Sequence, residues 1–132
     1  MRDSERIVRS FFDAVSAGEL PDDMVTPDMK AWTTTGGHMD KAAYQQVIRL
    51  LGQMSKVPLT FVIDSVTAQD DRIAAELHSV GGVLINGEPY ENTYVFVFRV
   101  RDGRIASVAE HFNALIVQEK MMPLVQQLRG VE

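Results

Sequence analysis

The sequence predicts an α+β fold in which helices come first and an antiparallel meander follows, with the helices on one face of a strongly bent sheet. Three observations carry this. Apolar residues recur at helical spacing over residues 3–17 and 40–55, and at alternate positions from residue 58 onward. Asn86-Gly87 and Asp102-Gly103 sit between alternating apolar runs, the strongest short hairpin signal. Gly81-Gly82 interrupts one run and reads as a bulge or sharp bend, which lets the sheet curl into a cone.

Over residues 3–17, Ile7, Val8, Phe11, Phe12 and Val15 share one helix face, with Ser4 as cap and Gly18 as stop. Leu20-Pro21 and Thr26-Pro27 bracket an acidic, turn-rich stretch with a brief second helix. Lys30–Thr35 reads as a strand ended by Gly36-Gly37, which leaves His38 in a loop. Asp40 caps a helix over 40–55, where Tyr44, Val47, Ile48, Leu51 and Met54 repeat at three and four. Strands follow over 58–68, 72–85, 89–101 and 104–113. A short helix over 114–121 closes the pattern, and Pro123 kinks or ends it before a last turn.

At 132 residues, 45% apolar and 23% charged, the chain reads as one domain over 1–132, able to fold without a metal or disulfide staple. Thirteen Lys and Arg against eighteen Asp and Glu give a net charge of −5, which argues against nucleic acid or an anionic membrane as partner. Cysteine is absent, so there is no disulfide framework or thiolate nucleophile, and the cytoplasm is the expected location. The first residues lack a signal peptide's apolar stretch, and no run approaches a membrane-spanning length.

No nucleophile elbow, Walker loop, dinucleotide fingerprint or H-E-x-x-H occurs, so neither cofactor nor metal is expected. His38, His78 and His111 have no metal-ligand spacing. Acid–base chemistry by side chains in an apolar cavity, or simple binding, remains. Tyr90, Asn92, Tyr94, Phe96 and Phe98 share one strand face, whose aromatic area requires it to be the inner one. On the next strand Ala106, Val108, Glu110 and Phe112 alternate, which sets Glu110 on an apolar wall. A carboxyl there is paired, hydrated or protonated, and has the raised pKa that general acids and bases need. The competing reading puts Glu110 at a solvent or dimer edge. Glu76 and His78 share one face of their strand, and alternation alone does not decide whether it is the inner one.

The run NGEPYENTYVFVFRVRDGRIASVAEHFNALIV, with Tyr90-x-Asn92-x-Tyr94, the Arg-Asp-Gly-Arg-Ile turn and Glu110, resembles the C-terminal half of SnoaL-like proteins of the nuclear transport factor 2-like superfamily. FFDAVSAGEL and Asp-Met-Lys-Ala-Trp are similar to the first helix and strand of that family. The resemblance implies a cone-shaped α+β barrel, usually dimeric, with a pocket between helices and sheet. Against steroid isomerases, Phe11 and Phe96 occupy the positions of the two oxyanion-hole donors, and the base falls at Thr33 or Thr34. Against limonene epoxide hydrolases, the arginine–aspartate pair falls near Leu77 and Ser79, and the tyrosine and asparagine near Trp32 and Thr34. Glu110 survives as the second carboxylate. The aromatic-x-Asp pair of SnoaL-like relatives reads His111-Phe112-Asn113.

The expectation is a homodimer with a pocket for a small hydrophobic molecule. Its first form is a cofactor-free enzyme of isomerase, cyclase, dehydratase or hydrolase type, though not a true steroid isomerase. Glu110 is the acid–base group, and Tyr94 and Asn92 position or polarise the substrate. The substrate-binding walls comprise Trp32, Thr34, Phe11, Val15, Leu77, Ser79, Phe96, Val108 and Phe112. The alternative is a non-catalytic binding or dimerisation module.

Overall fold

The computed structural model describes residues 2–128, the Arg2 side chain excepted. In chain order the elements are α1 (Arg2–Ala17), a 3-10 turn (Asp22–Met24), β1 (Val25–Thr33), β2 (Gly37–Asp40) and α2 (Lys41–Met54). Then come β3 (Ser55–Val57), β4 (Thr60–Gln69), β5 (Arg72–Leu84), β6 (Pro89–Arg101), β7 (Arg104–Phe112), α3 (Ala114–Lys120) and α4 (Met122–Leu128).

The strands form one sheet in the order β2-β1-β7-β6-β5-β3, with β4 also against β5. The bend at Gly81-Gly82 explains this double edge. Pairing of β4 ends at Val80, and pairing of β3 begins at Val83. Gly81 has φ +70, and a Cβ on Gly82 would lie 3.0 Å from the Tyr90 carbonyl, so the turn of the sheet requires glycine here. As expected, the sheet is mostly antiparallel and curls around α1.

Three details differ from the sequence reading. First, β1 starts at Val25, not Lys30, and pairs with β7 in parallel. Pro27 lies inside it, where the register jumps from Val25–Ile105 to Lys30–Ser107 and no amide is needed. Second, β2 and β3 are short strands that the periodicity does not reveal, and β2 sets His38 opposite Trp32 rather than in a loop. Third, Ala106 is the extra residue of a bulge, because Arg99 faces Ser107 while Val100 faces Ile105. Ile105, which simple alternation turns outward, is fully buried. Beyond the bulge Val108, Glu110 and Phe112 stand opposite Phe98, Phe96 and Tyr94, on the inner face as predicted.

The apolar stripe of α1 fills the cone. Phe12 meets Phe96 edge-on at 4.8 Å and Phe11 meets Phe98 at 5.0 Å between ring centroids. A second apolar cluster of Met54, Leu59, Leu84, Tyr90, Met121 and Leu124 fixes α4 across the open end. The helix does break near Pro123: α3 ends at Lys120, and Pro123 sits in the first turn of α4, where a missing amide is tolerated. Asn113 caps α3 by accepting from the Leu115 amide at 3.0 Å. Among the described residues no helix is long and apolar enough to cross a membrane.

Candidate functional site

Between α2, the inner sheet face and the α3–α4 segment lies a cavity of about 340 Å³. Its walls are mostly apolar, with Val15, Ile48, Leu51, Met54, Phe96 and Met121 among them. Its polar lining consists of Thr33, Thr35, Tyr44, Tyr90, Tyr94 and Glu110. A wider depression of about 580 Å³ opens on the outer sheet face, along Asp64, Glu76, His78 and His111. Its polar groups are largely engaged with one another: His78 Nδ1 lies 2.8 Å from Asp64 Oδ2, and Ser65 donates to Glu76 at 2.7 Å. Chemistry that needs exclusion of water belongs to the inner cavity.

Glu110 reaches that cavity because β7 regains its phase after the Ala106 bulge. Across the cavity α2, begun by the Asp40 cap on the Ala43 amide at 2.9 Å, aims Tyr44 at it. The Tyr44 hydroxyl donates to Glu110 Oε1 at 2.7 Å. Glu110 is half-buried and lines the cavity. Burial pushes the carboxyl from its usual 4.5 up to about 7, while the Tyr44 bond pulls in the opposite direction. The Tyr44 phenol is itself pushed well up by burial and by the facing carboxyl, so it remains a donor. Burial also raises Tyr90 and Tyr94.

A second polar cluster lies at the side of the cavity. Tyr94 Oη and Ser79 Oγ are 2.9 Å apart, and Ser79 Oγ accepts from the Asn92 amide at 3.0 Å. Asn92 Nδ2 donates to Tyr90 Oη at 2.9 Å and to the Asn113 carbonyl at 3.3 Å. Its Oδ1 accepts from the amides of Thr93 at 2.8 Å and Asn113 at 3.3 Å. The whole hydrogen-bonding capacity of the Asn92 side chain is thus used within the fold.

A family model for the SnoaL-like domain matches residues 8–108. The chain belongs to the SnoaL-like family. YesE, a Bacillus subtilis (strain 168) protein of uncharacterised function, is 36% identical over 53 residues. That match covers 40% of this chain and only 36% of YesE. Among solved structures, a provisionally assigned isomerase from Bacillus subtilis superposes with a TM-score of 0.77 at 22% identity, covering 89% of this chain and 91% of the other. A nuclear transport factor 2-like protein from Anabaena variabilis gives 0.73 at 22% identity, covering 84% and 90%. At these identities the structural likeness speaks for the fold alone.

In this SnoaL-like chain the expected site residues fall into three groups. Val15, Tyr94, Phe96, Glu110 and Phe112 do line the cavity. Phe11, Leu77, Ser79, Asn92 and Val108 are buried but lie off it, in core packing or in the polar cluster. Trp32 and Thr34 are corrections, because the parallel pairing of β1 with β7 turns them to the outer face. Trp32 packs against His111 with tilted rings 4.8 Å apart between centroids, and Thr34 Oγ1 bonds the backbone of Glu110 at 3.2 Å and Phe112 at 3.1 Å. Thr33 and Thr35 take their place at the cavity. Glu76, His78 and His111 all face outward. Thr33, Thr35 and Tyr90 were not among the expected site residues, and neither was Tyr44, the partner of Glu110. The signal for Tyr44 was there, since a tyrosine in a buried helix stripe and a glutamate on an apolar wall each need a partner.

Proposed function

We propose that the cavity takes a small, largely hydrophobic molecule and that Glu110 exchanges a proton with it, as the acid–base group of a cofactor-free enzyme. The observation that carries this is the Glu110 carboxyl: it lines a mostly apolar cavity, keeps Tyr44 as its hydrogen-bond partner, and is pushed by burial up to about 7. Such a group donates or accepts a proton at comparable cost, which suits isomerisation, cyclisation, dehydration or hydration. Tyr94 lines the same cavity and supplies a phenol that stays protonated. Asn92 acts at one remove, as a positioning residue that holds Tyr90 and, through Ser79, Tyr94.

A second reading, ligand binding without catalysis, draws support from Phe11, Phe96 and either Thr33 or Thr34 standing where steroid isomerases carry their reacting groups. Purifying the protein from cells and identifying the cavity's occupant by mass spectrometry, then following its conversion, separates the two. Conversion that falls about 10²–10⁴-fold in Glu110→Gln supports the enzyme. An occupant returned unchanged by the wild type supports the binding module. The proposal includes a homodimer formed through the outer sheet face, which carries Val62 and Val95, each 38% exposed, and the Trp32–His111 ring contact.

A further inference from the structure

The cavity holds a carboxyl but no positive charge. Its ionisable lining groups are Glu110 from β7, Tyr44 from α2, and Tyr90 and Tyr94 from β6; among the described residues no lysine, arginine or histidine lines it. The basic side chains of the surrounding helices are committed at the surface. On α2, Lys41 pairs with Asp22 at 3.2 Å and Arg49 with Glu19 at 3.6 Å; on α3, Lys120 pairs with Glu88 at 3.3 Å. The single hydrogen bond that the described residues make to the Glu110 carboxyl comes from Tyr44, at Oε1. Oε2 has no protein donor among them.

The rest of the lining is suited to one kind of charge. Tyr44, Phe61, Tyr90, Tyr94, Phe96 and Phe112 give the cavity an aromatic wall. The negative faces of aromatic rings attract cations. An anionic ligand would meet an unscreened carboxylate in a low-dielectric space, with no cation to offset the repulsion.

We infer that this cavity selects a compact hydrophobic amine, held as its ammonium against the Glu110 carboxylate, over neutral and acidic molecules of the same shape. The inference rests on the proposed reading of the cavity as a small-molecule site and names the ligand class it takes. The ammonium supplies the counter-charge that the fold omits, donates to the free Oε2, and sits among aromatic rings. A neutral ligand gains one hydrogen bond from a protonated Glu110 and leaves the burial of the charged form unrelieved. A volume of about 340 Å³ lies at the small end of the range for small-molecule sites, which suits a compact ligand.

The proton balance follows. With its carboxyl near 7 in the free protein, Glu110 is about half protonated at pH 7 and ionised in the complex. An amine that arrives already protonated therefore displaces about half a proton per site to the buffer at that pH. Its affinity rises between pH 6 and pH 8 and then levels until the amine itself titrates.

The test is calorimetry on the full chain with three probes of one shape: cyclohexylmethylamine, cyclohexylmethanol and cyclohexanecarboxylate. The expected result is that the amine binds at least about tenfold more tightly than the alcohol, and about a hundredfold more tightly than the carboxylate, at pH 8. At pH 7 the amine's heat of binding should vary between buffers as proton release requires. Methyl shifts at Ile48 and Met54 should report all binding at the cavity. In Glu110→Gln the preference for the amine should vanish; the wild-type probe order and proton release stand without that variant. A tightest alcohol whose affinity falls with rising pH overturns the amine and leaves the proton-transfer reading standing. A tightest carboxylate, or no binding by any probe, also overturns it. In those cases a Glu110 midpoint near 4.5 removes the proton-transfer reading as well, whereas one near 7 preserves it.

Discussion

Tyr44 on α2 and Glu110 on β7 meet across 2.7 Å, and that bond ties the helical layer to the sheet at the wall of the cavity. Each group would be an orphan without the other. Burial favours the protonated acid and the Tyr44 hydrogen bond favours the anion; burial wins, and the carboxyl settles near 7.

Replacing Tyr44 with Phe removes the opposing influence. The Glu110 midpoint should then climb above its wild-type position near 7, read by carbon-13 NMR of the side-chain carboxyl. A midpoint that stays put or falls would mean that the hydroxyl does not reach the anion.

The raised carboxyl also makes stability depend on pH. Glu110 holds its proton more tightly folded than unfolded, so its contribution is fully present below about 4.5 and is lost as pH rises through about 7. The full loss is on the order of 3 kcal/mol. Glu110→Gln keeps the shape and removes the titration, so urea unfolding at pH 5 and pH 8 should show a wild-type decline that the variant lacks. Parallel declines in the two proteins would contradict it.

How far the sequence carries depends on the range of the signal. The α1 stripe, the Asn86-Gly87 and Asp102-Gly103 turns and the Gly81-Gly82 bend are local features, and all of them read correctly. The parallel pairing of β1 with β7 is a long-range choice with no local mark, and it turned Trp32 and Thr34 outward. The Ala106 bulge reset the phase of β7 in a run that alternation alone cannot distinguish from regular strand. Glu110 survived that reset because it lies beyond the bulge. Asn92 was correctly placed inside, but whether a buried amide is free or consumed depends on Asn113 and Tyr90, and alternation says nothing of either.

Asn92 should behave as a structural residue. Asn92→Leu leaves the Thr93 and Asn113 amides and the Tyr90 hydroxyl without their partner, and should cost roughly 2–4 kcal/mol in chemical denaturation. A variant as stable as the wild type would point instead to an amide held ready for a ligand.

Steroid enones should isomerise at least about a hundredfold more slowly here than in a true isomerase, because the phenylalanines at the donor positions cannot hydrogen-bond an enolate. Phe11 is fully buried and Phe96 is 3% exposed, each within the aromatic core. Rapid turnover in an absorbance assay would overturn that comparison.

In solution the outer sheet face should be covered by a second copy. Sedimentation at micromolar concentration should show twice the 14.7 kDa of one chain, and Val95→Glu should shift the mass toward the monomer. A lone 14.7 kDa species for the wild type would exclude the dimer.

The most direct test of the central claim is the carboxyl titration of Glu110 in the wild-type protein, followed by NMR with no ligand present. A midpoint near 7, with little change in the carboxyl's response to added salt, is the predicted result. A midpoint near 4.5 that shifts with salt as an exposed carboxylate does would leave the cavity without an acid–base group, and the reading would pass to a binding module.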